Sequence, residues 1–229
     1  MAEALDTRAT IVRAARELMF ERGFEATTMR AIADRAGVSL GNAYYYFAGK
    51  DDLIQGFYEE IAAAHQARSR QAMDRKRGVG PRLTASLEVL VELCNEYSTV
   101  SEALLTRGVI PTGPLNPFSA QSARPRALFL ETCGEIVDGA RLRTDADLRA
   151  ALPELLWLVH LAVILGWSQD LSDGKEATLR SMRRIGPMLG RLISFARVPA
   201  LRPFVRMMLD QLADLHVARP DWSVAEQRP

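Results

Sequence analysis

The sequence predicts an all-α protein, with a three-helix N-terminal domain followed by a larger helical domain. Three observations carry this. Apolar residues recur at helical spacing along most of the chain, no segment reads as a convincing strand, and Gly23, Gly37 and several Pro/Gly-rich stretches punctuate the pattern where helices would end. A chain of 229 residues is long enough for one small domain and one larger one.

The first helix is expected from Thr7, whose hydroxyl can cap it; Ile11, Ala14, Ala15, Leu18 and Met19 share one face, and Gly23 ends it. Thr28 is placed to cap a second helix, in which Met29, Ile32, Ala33 and Ala36 recur at i, i+3, i+4 and i+7. Gly37 suits the left-handed position that closes a helix, and Ser39 can cap a third helix running through three consecutive tyrosines to Phe47. Three short helices within about fifty residues can share a small core and leave the last free to enter a DNA major groove.

The order and spacing of Ala14-Ala15, Leu18, Gly23-Phe24, Thr28-Met29-Arg30, Ile32-Ala33, Ala36 to Ser39, Tyr44 to Phe47 and Lys50 resemble the DNA-binding domain of the TetR family of bacterial transcriptional repressors. The resemblance implies a helix-turn-helix domain over residues 1–49 and a helical effector-binding and dimerisation domain over 50–229. Carried across, it makes Ser39, Leu40, Gly41 and Asn42 the start of the recognition helix. Asn42 can then pair with adenine, and Leu40 offers apolar contact such as a thymine methyl. Tyr44 and Tyr45 would reach phosphates or base edges, Thr28 and Lys50 would anchor the DNA backbone, and Phe47 would face the core. With Leu40 and Ala43 where family members often carry a polar or basic residue and a bulkier apolar one, the segment Ser39–Phe47 has no charge, so attraction to phosphate falls to Arg8, Arg30 and Lys50.

Beyond Lys50, Leu53, Ile54, Phe57, Tyr58 and Ile61 mark a long fourth helix that fades into the charged stretch 68–77. Gly78-Val79-Gly80-Pro81 reads as a turn, followed by a helix faced by Leu83, Leu87, Leu90, Val91 and Cys94. A short helix is expected over 101–106, an exposed connection over 108–125 and another helix from about Arg126 to Leu142. Leu155 to Trp167 is apolar almost all round, so both faces want burial. Its partner begins near Lys175 with Leu179, Met182, Ile185, Leu189 and Ile193, and Gly186-Pro187 predicts a kink. A last amphipathic helix is expected over 203–217.

The resemblance also implies a homodimer through the helices around 155–170 and 175–197, and a roughly palindromic double-stranded operator. A small molecule bound among the helices of the larger domain would swing the fourth helix, with Lys50 at the hinge. Candidate lining residues are His65, Cys94, Asn95, Tyr97, Phe118, Phe129, Cys133, Trp157, His160 and Ile164. Trp157 and His160 stand out, three apart on an otherwise aliphatic helix and each needing a hydrogen-bond partner if buried. The predominantly apolar set favours a hydrophobic or aromatic effector over an anionic one.

A constitutive DNA-binding dimer without effector is the second reading. An enzyme is disfavoured, because three histidines stand at no metal-ligand spacing with cysteines or carboxylates, and neither a phosphate loop nor a nucleophile elbow is present. No cofactor or metal is expected. A formal net charge of +1 does not argue against DNA binding, whose electrostatic footprint is local. Cys94 and Cys133 read as buried free thiols, the N-terminus as lacking a signal peptide, and Leu155–Trp167 as too short to span a bilayer, which together predict a cytoplasmic protein.

Overall fold

The computed structural model describes residues 2–142, 144, 146–195 and 207. Among them are nine α-helices and no strand: α1 (Ala2–Ala26), α2 (Met29–Ala36), α3 (Leu40–Tyr46), α4 (Lys50–Met73), α5 (Val79–Glu96), α6 (Ser98–Gly108), α7 (Ala123–Gly139), α8 (Ala146–Gln169) and α9 (Glu176–Phe195). The all-α expectation therefore holds. Apart from Met207, the helix expected over 203–217 lies outside the described residues. Residues up to 64 together with 93–126 form one compact unit, and residues 65–92 with those after 126 form the other.

In the first unit α1 begins at Ala2, so Thr7 sits inside the helix instead of capping it. Gly23, at φ +81° and ψ +166°, breaks the helical path where the sequence ended it. Thr28 accepts from the N–H of Ala31 at 3.2 Å and satisfies one of the donors that a helix start leaves orphaned. Gly37 closes α2 at φ +69°, a conformation that costs a side-chain-bearing residue roughly 1–2 kcal/mol, and the N–H of Val38 bonds the carbonyl of Ala33 at 3.0 Å. The shared core comprises Ile11, Ala14, Ala15, Leu18, Met19, Met29, Ile32, Ala33, Ala43 and Phe47, joined by Leu53, Ile54 and Phe57 of α4. Each large side chain buried there contributes about 1.5–3 kcal/mol.

The connection between α6 and α7 is more ordered than its composition suggested. Leu115 is buried, Ser122 Oγ and Ser119 Oγ donate to the carbonyl of Pro114, and the buried Arg126 guanidinium donates to the carbonyls of Pro117 and Ser119. Proline removes backbone donors from this stretch, and side chains supply them to the carbonyls left over.

In the second unit the turn after α4 is made by Gly78 at φ +80°, and α5 already starts at Val79. Gly80 and Pro81 therefore lie in the first turn of α5. Gly80 serves close packing: a Cβ on Gly190 would stand 2.8 Å from the Gly80 nitrogen, and one on Gly80 would stand 3.0 Å from the carbonyl oxygen of Gly186. α5 thus approaches α9 through three glycines. α9 continues through Pro187 to Phe195, so Gly186-Pro187 does not end it. Its start is held by Asp170, whose carboxylate accepts from the N–H of Thr178 at 2.7 Å and of Ser172 at 2.9 Å. The Ser172 hydroxyl, which donates to the same carboxylate at 2.6 Å, and then these N–H groups hold the Asp170 carboxyl well below its ordinary range.

α8 buries Leu148, Leu152, Leu156, Trp157, His160, Val163 and Trp167, a stripe of helical spacing. It is one helix of 24 residues, longer than the apolar run read from sequence, and among the described residues it alone has the length and hydropathy to cross a membrane. The stripe centred on His160 packs inside the unit instead. The opposite face stays open, with Leu165 on α8 and Met188 and Leu192 on α9 all more than half exposed.

The glycine contact makes a stability prediction. Gly190→Ala should cost about 1–3 kcal/mol and lower the melting temperature by several degrees, because the new methyl meets α5 backbone. Gly134→Ala, where an added Cβ meets nothing within 4 Å, should be neutral or stabilising by about 0.5–1 kcal/mol. Thermal melts of the two variants check both.

Candidate functional site

α3 spans seven residues, too short to persist by its own hydrogen bonds. Ser39 accepts from the N–H of Asn42 at 3.0 Å and caps it, while Ala43 and Phe47 are buried against the core at 0% and 1% exposure. That anchoring decides which side faces out. Ser39, Gly41, Asn42, Tyr44 and Tyr45 are exposed, Tyr45 at 81%, and Leu40 and Tyr46 are half-buried. Thr28 and Arg30 at the start of α2 are exposed as well. Phe47 is the core residue that the sequence indicated.

The cations flanking α3 are not equivalent. Lys50 donates to the carbonyls of Phe24 at 2.9 Å and Glu25 at 3.4 Å, with its ammonium 4.2 Å from the Phe24 ring centre. From the other helix bordering this turn, Arg107 lies 4.4 Å from the same ring and pairs with Asp51 and Glu25. The ammonium at Lys50 is thus committed to tying the α1–α2 turn to α4. Arg8 covers the Phe47 ring at 5.0 Å while remaining exposed, and Arg35 makes a two-pronged pair with Glu21. Arg30 has no carboxylate partner among the described residues.

A family model described as "Bacterial regulatory proteins, tetR family" matches residues 11–56, which encompass the exposed face of α3 and its supports. Over those residues the chain is similar to the TetR family of bacterial regulatory proteins. The HTH-type transcriptional regulator TtgR of Pseudomonas putida is 34% identical over 99 residues, 42% of this chain and 47% of that protein. The chain thus spans about half the length of such curated relatives in the matched region. Among solved structures, a TetR-family regulator from Pectobacterium atrosepticum superposes with a TM-score of 0.66 over 84% of this chain and 96% of that one, at 20% identity. Thermus thermophilus FadR, a TetR-family repressor solved with lauroyl-CoA, gives 0.54 at 25% identity over 76% and 92%.

The effector candidates separate between the chain's two units. In the first, Cys94 is buried with its thiol against Ser101, and burial pushes it up to about 12. Asn95 and Phe118 are exposed, and the half-buried Tyr97 donates to Glu60 at 3.0 Å. In the second unit Phe129, Cys133, Trp157 and His160 are all buried and Ile164 is half-buried. Both cysteines are free. Phe129 stacks on His65 at 4.7 Å between ring centres, and His160 stands edge-on to His65 at 5.4 Å.

Ser86 and Ser69 complete this cluster and were not among the sequence candidates. Ser86 Oγ lies 3.2 Å from His65 Nε2, 3.0 Å from His160 Nε2 and 3.4 Å from Ser69 Oγ. The legible signal was a serine among Leu83, Leu87 and Leu90 on the inner stripe of α5, where a polar group requires a partner.

Burial pushes His65 down to about 3, aided by the neighbouring His160 and opposed by its bond to the Ser86 backbone. It pushes His160 down to about 4, opposed by the bond to the Leu156 carbonyl. Both imidazoles are therefore neutral at pH 7. Because their folded values lie below the unfolded value near 6.5, the unfolded chain binds more protons as pH falls, and stability is full above about pH 6.5 and declines beneath it. Urea midpoints should fall between pH 6.5 and 4.5, with stability changing by up to about 1.4 kcal/mol per pH unit for each histidine. A second prediction concerns Lys50→Met, which should lower the melting temperature and weaken DNA binding across all sequences, since it loosens the α1–α2 turn.

Proposed function

We propose that the chain is a sequence-specific DNA-binding regulator, a repressor released from a roughly palindromic operator by a small molecule. The observation that carries this reading is the outward face of α3: Ser39, Leu40, Gly41 and Asn42 at its start, then Tyr44 and Tyr45, held by a buried Ala43 and Phe47. The N-terminal residues of such a helix meet base edges, and Asn42 has the paired donor and acceptor that adenine requires. Thr28, Arg30 and Arg8 serve the phosphates, whereas Lys50 acts by positioning. In this reading the helix-turn-helix domain is residues 1–49, and residues 50–229 bind the effector and dimerise.

The regulator works as a homodimer in the cytoplasm. Leu165, Met188 and Leu192 expose apolar surface on α8 and α9, and a second copy of the same pair would cover it in a four-helix interface. Two recognition helices related by a two-fold axis then read half-sites about 34 Å apart. An effector needs to favour the released geometry by only about 1–3 kcal/mol to weaken DNA binding five- to 150-fold. The acyl-CoA ligand of the Thermus relative makes acyl thioesters one class to try, and the neutral histidine cluster favours uncharged aromatic or aliphatic compounds as another.

Footprinting on DNA flanking the chain's own gene should reveal a palindromic protected site. Asn42→Ala should relax preference at one base position in each half-site by about 1–3 kcal/mol, while Tyr44→Phe should weaken binding evenly across sequences. Unchanged binding in both variants would contradict the assignment. Leu165→Glu combined with Leu192→Glu should yield monomers by sedimentation, with operator affinity lost in parallel.

A further inference from the structure

The hydrogen positions of the buried histidine cluster follow from its obligate acceptors. The carbonyl of Leu156 can only accept, so His160 Nδ1, 2.7 Å away, carries the proton. A neutral imidazole has one N–H, which leaves His160 Nε2 as an acceptor and makes Ser86 Oγ, at 3.0 Å, donate to it. Ser86 has then spent its only hydroxyl hydrogen. Its oxygen accepts from His65 Nε2 at 3.2 Å, and the Ser86 carbonyl, 3.1 Å from the same nitrogen, independently requires an N–H there. His65 is thus the Nε2–H tautomer, and its Nδ1 is a bare lone pair.

That lone pair is enclosed and unanswered. His65 is 0% exposed, and among the described residues no donor lies within hydrogen-bond reach of Nδ1. An acceptor buried without a donor is destabilising, and a matching donor would recover that loss. The neighbours narrow what that donor can be. Ser86 occupies the Nε2 side of the ring with Ser69 donating to its hydroxyl at 3.4 Å, Phe129 stacks on the ring's face, and Cys133 places its weakly polar sulfur 3.9 Å from His160 Nδ1. Among the described residues no cation sits in the cluster to compensate a carboxylate or phosphate.

We propose that His65 Nδ1 is the polar anchor of the effector site, and that it selects a neutral molecule with an aromatic or apolar body donating one hydrogen bond from a phenolic or alcoholic hydroxyl. This rests on the ligand-responsive reading above. It assigns the effector's class: ethers and esters lack the donor, and anions lack a counter-charge. His160, whose two nitrogens are both engaged, sets the direction of the proton chain and does not itself take the ligand.

The test uses the full-length dimer with ¹⁵N-labelled histidine and three probes of one shape: phenol, anisole and benzoate. Before any addition, His65 should show a protonated Nε2 and a pyridine-type Nδ1, and His160 the opposite tautomer. Phenol should shift the His65 Nδ1 resonance and raise the melting temperature, while anisole and benzoate at the same millimolar concentrations should do neither. His65→Gln, which keeps a donor towards Ser86 and removes the Nδ1 acceptor, should weaken phenol binding at least tenfold. A protonated Nδ1 in the free protein, an unmoved signal at millimolar phenol, or an equal response to anisole or benzoate would each overturn the proposal. If the variant fails to fold, the contrast among the three probes on the unaltered protein decides. Operator affinity is read in the same samples: phenol held at His65 with unchanged DNA binding would overturn the ligand-release reading and leave the anchor standing.

Discussion

A helix of seven residues has no stability of its own, and the exposed face of α3, proposed above to meet DNA, depends on how the helix is pinned. Ala43 and Phe47 hold it from beneath, Ser39 caps its start, and Gly37 sets its direction from α2. Because these constraints fix the helix rotation, Asn42, Tyr44 and Tyr45 have no alternative but to face solvent. Arg8 over the Phe47 ring extends the same support to α1. The chemistry exposed on α3 is a by-product of burying the other side.

The support of that helix is partly delegated to charge. Lys50 and Arg107 flank Phe24, and between them they reach the carbonyls of the α1–α2 turn and the carboxylates of Asp51 and Glu25. Each exposed ion pair is worth little alone, about 0–1 kcal/mol, but the aromatic ring converts them into a joint that resists rotation. The second unit uses the opposite means. There neutral imidazoles and serines occupy the interior of an apolar bundle, and their value lies in specificity of hydrogen bonding.

Much of this was legible in the sequence because local rules and tertiary packing agree. Thr28, Gly37 and Ser39 are chosen by backbone geometry, and Met29, Ile32 and Ala33 by a period that survives in the core. What escaped was non-local. Nothing in the residues around Lys50 announces that its ammonium belongs to Phe24 and Glu25, 26 and 25 positions earlier. Gly80 looked like turn chemistry because a glycine chosen for close helix packing is indistinguishable by type from one chosen for a positive φ. Likewise the 108–125 stretch has loop composition, yet Arg126 and two serines organise its carbonyls. His160 was visible as an odd polar residue on α8, whereas its connection to His65 runs through Ser86, a residue with no motif to mark it.

The central claim is that the outward face of α3, pinned by Ala43 and Phe47, is the surface that meets DNA. Amide hydrogen exchange of the full chain with and without DNA from its own promoter region tests it most directly. Protection gained across residues 39–46 and at the start of α2, with the amides of α5 and α8 unchanged, is the predicted result. Protection that appears elsewhere while residues 39–46 exchange as in the free protein would contradict the account.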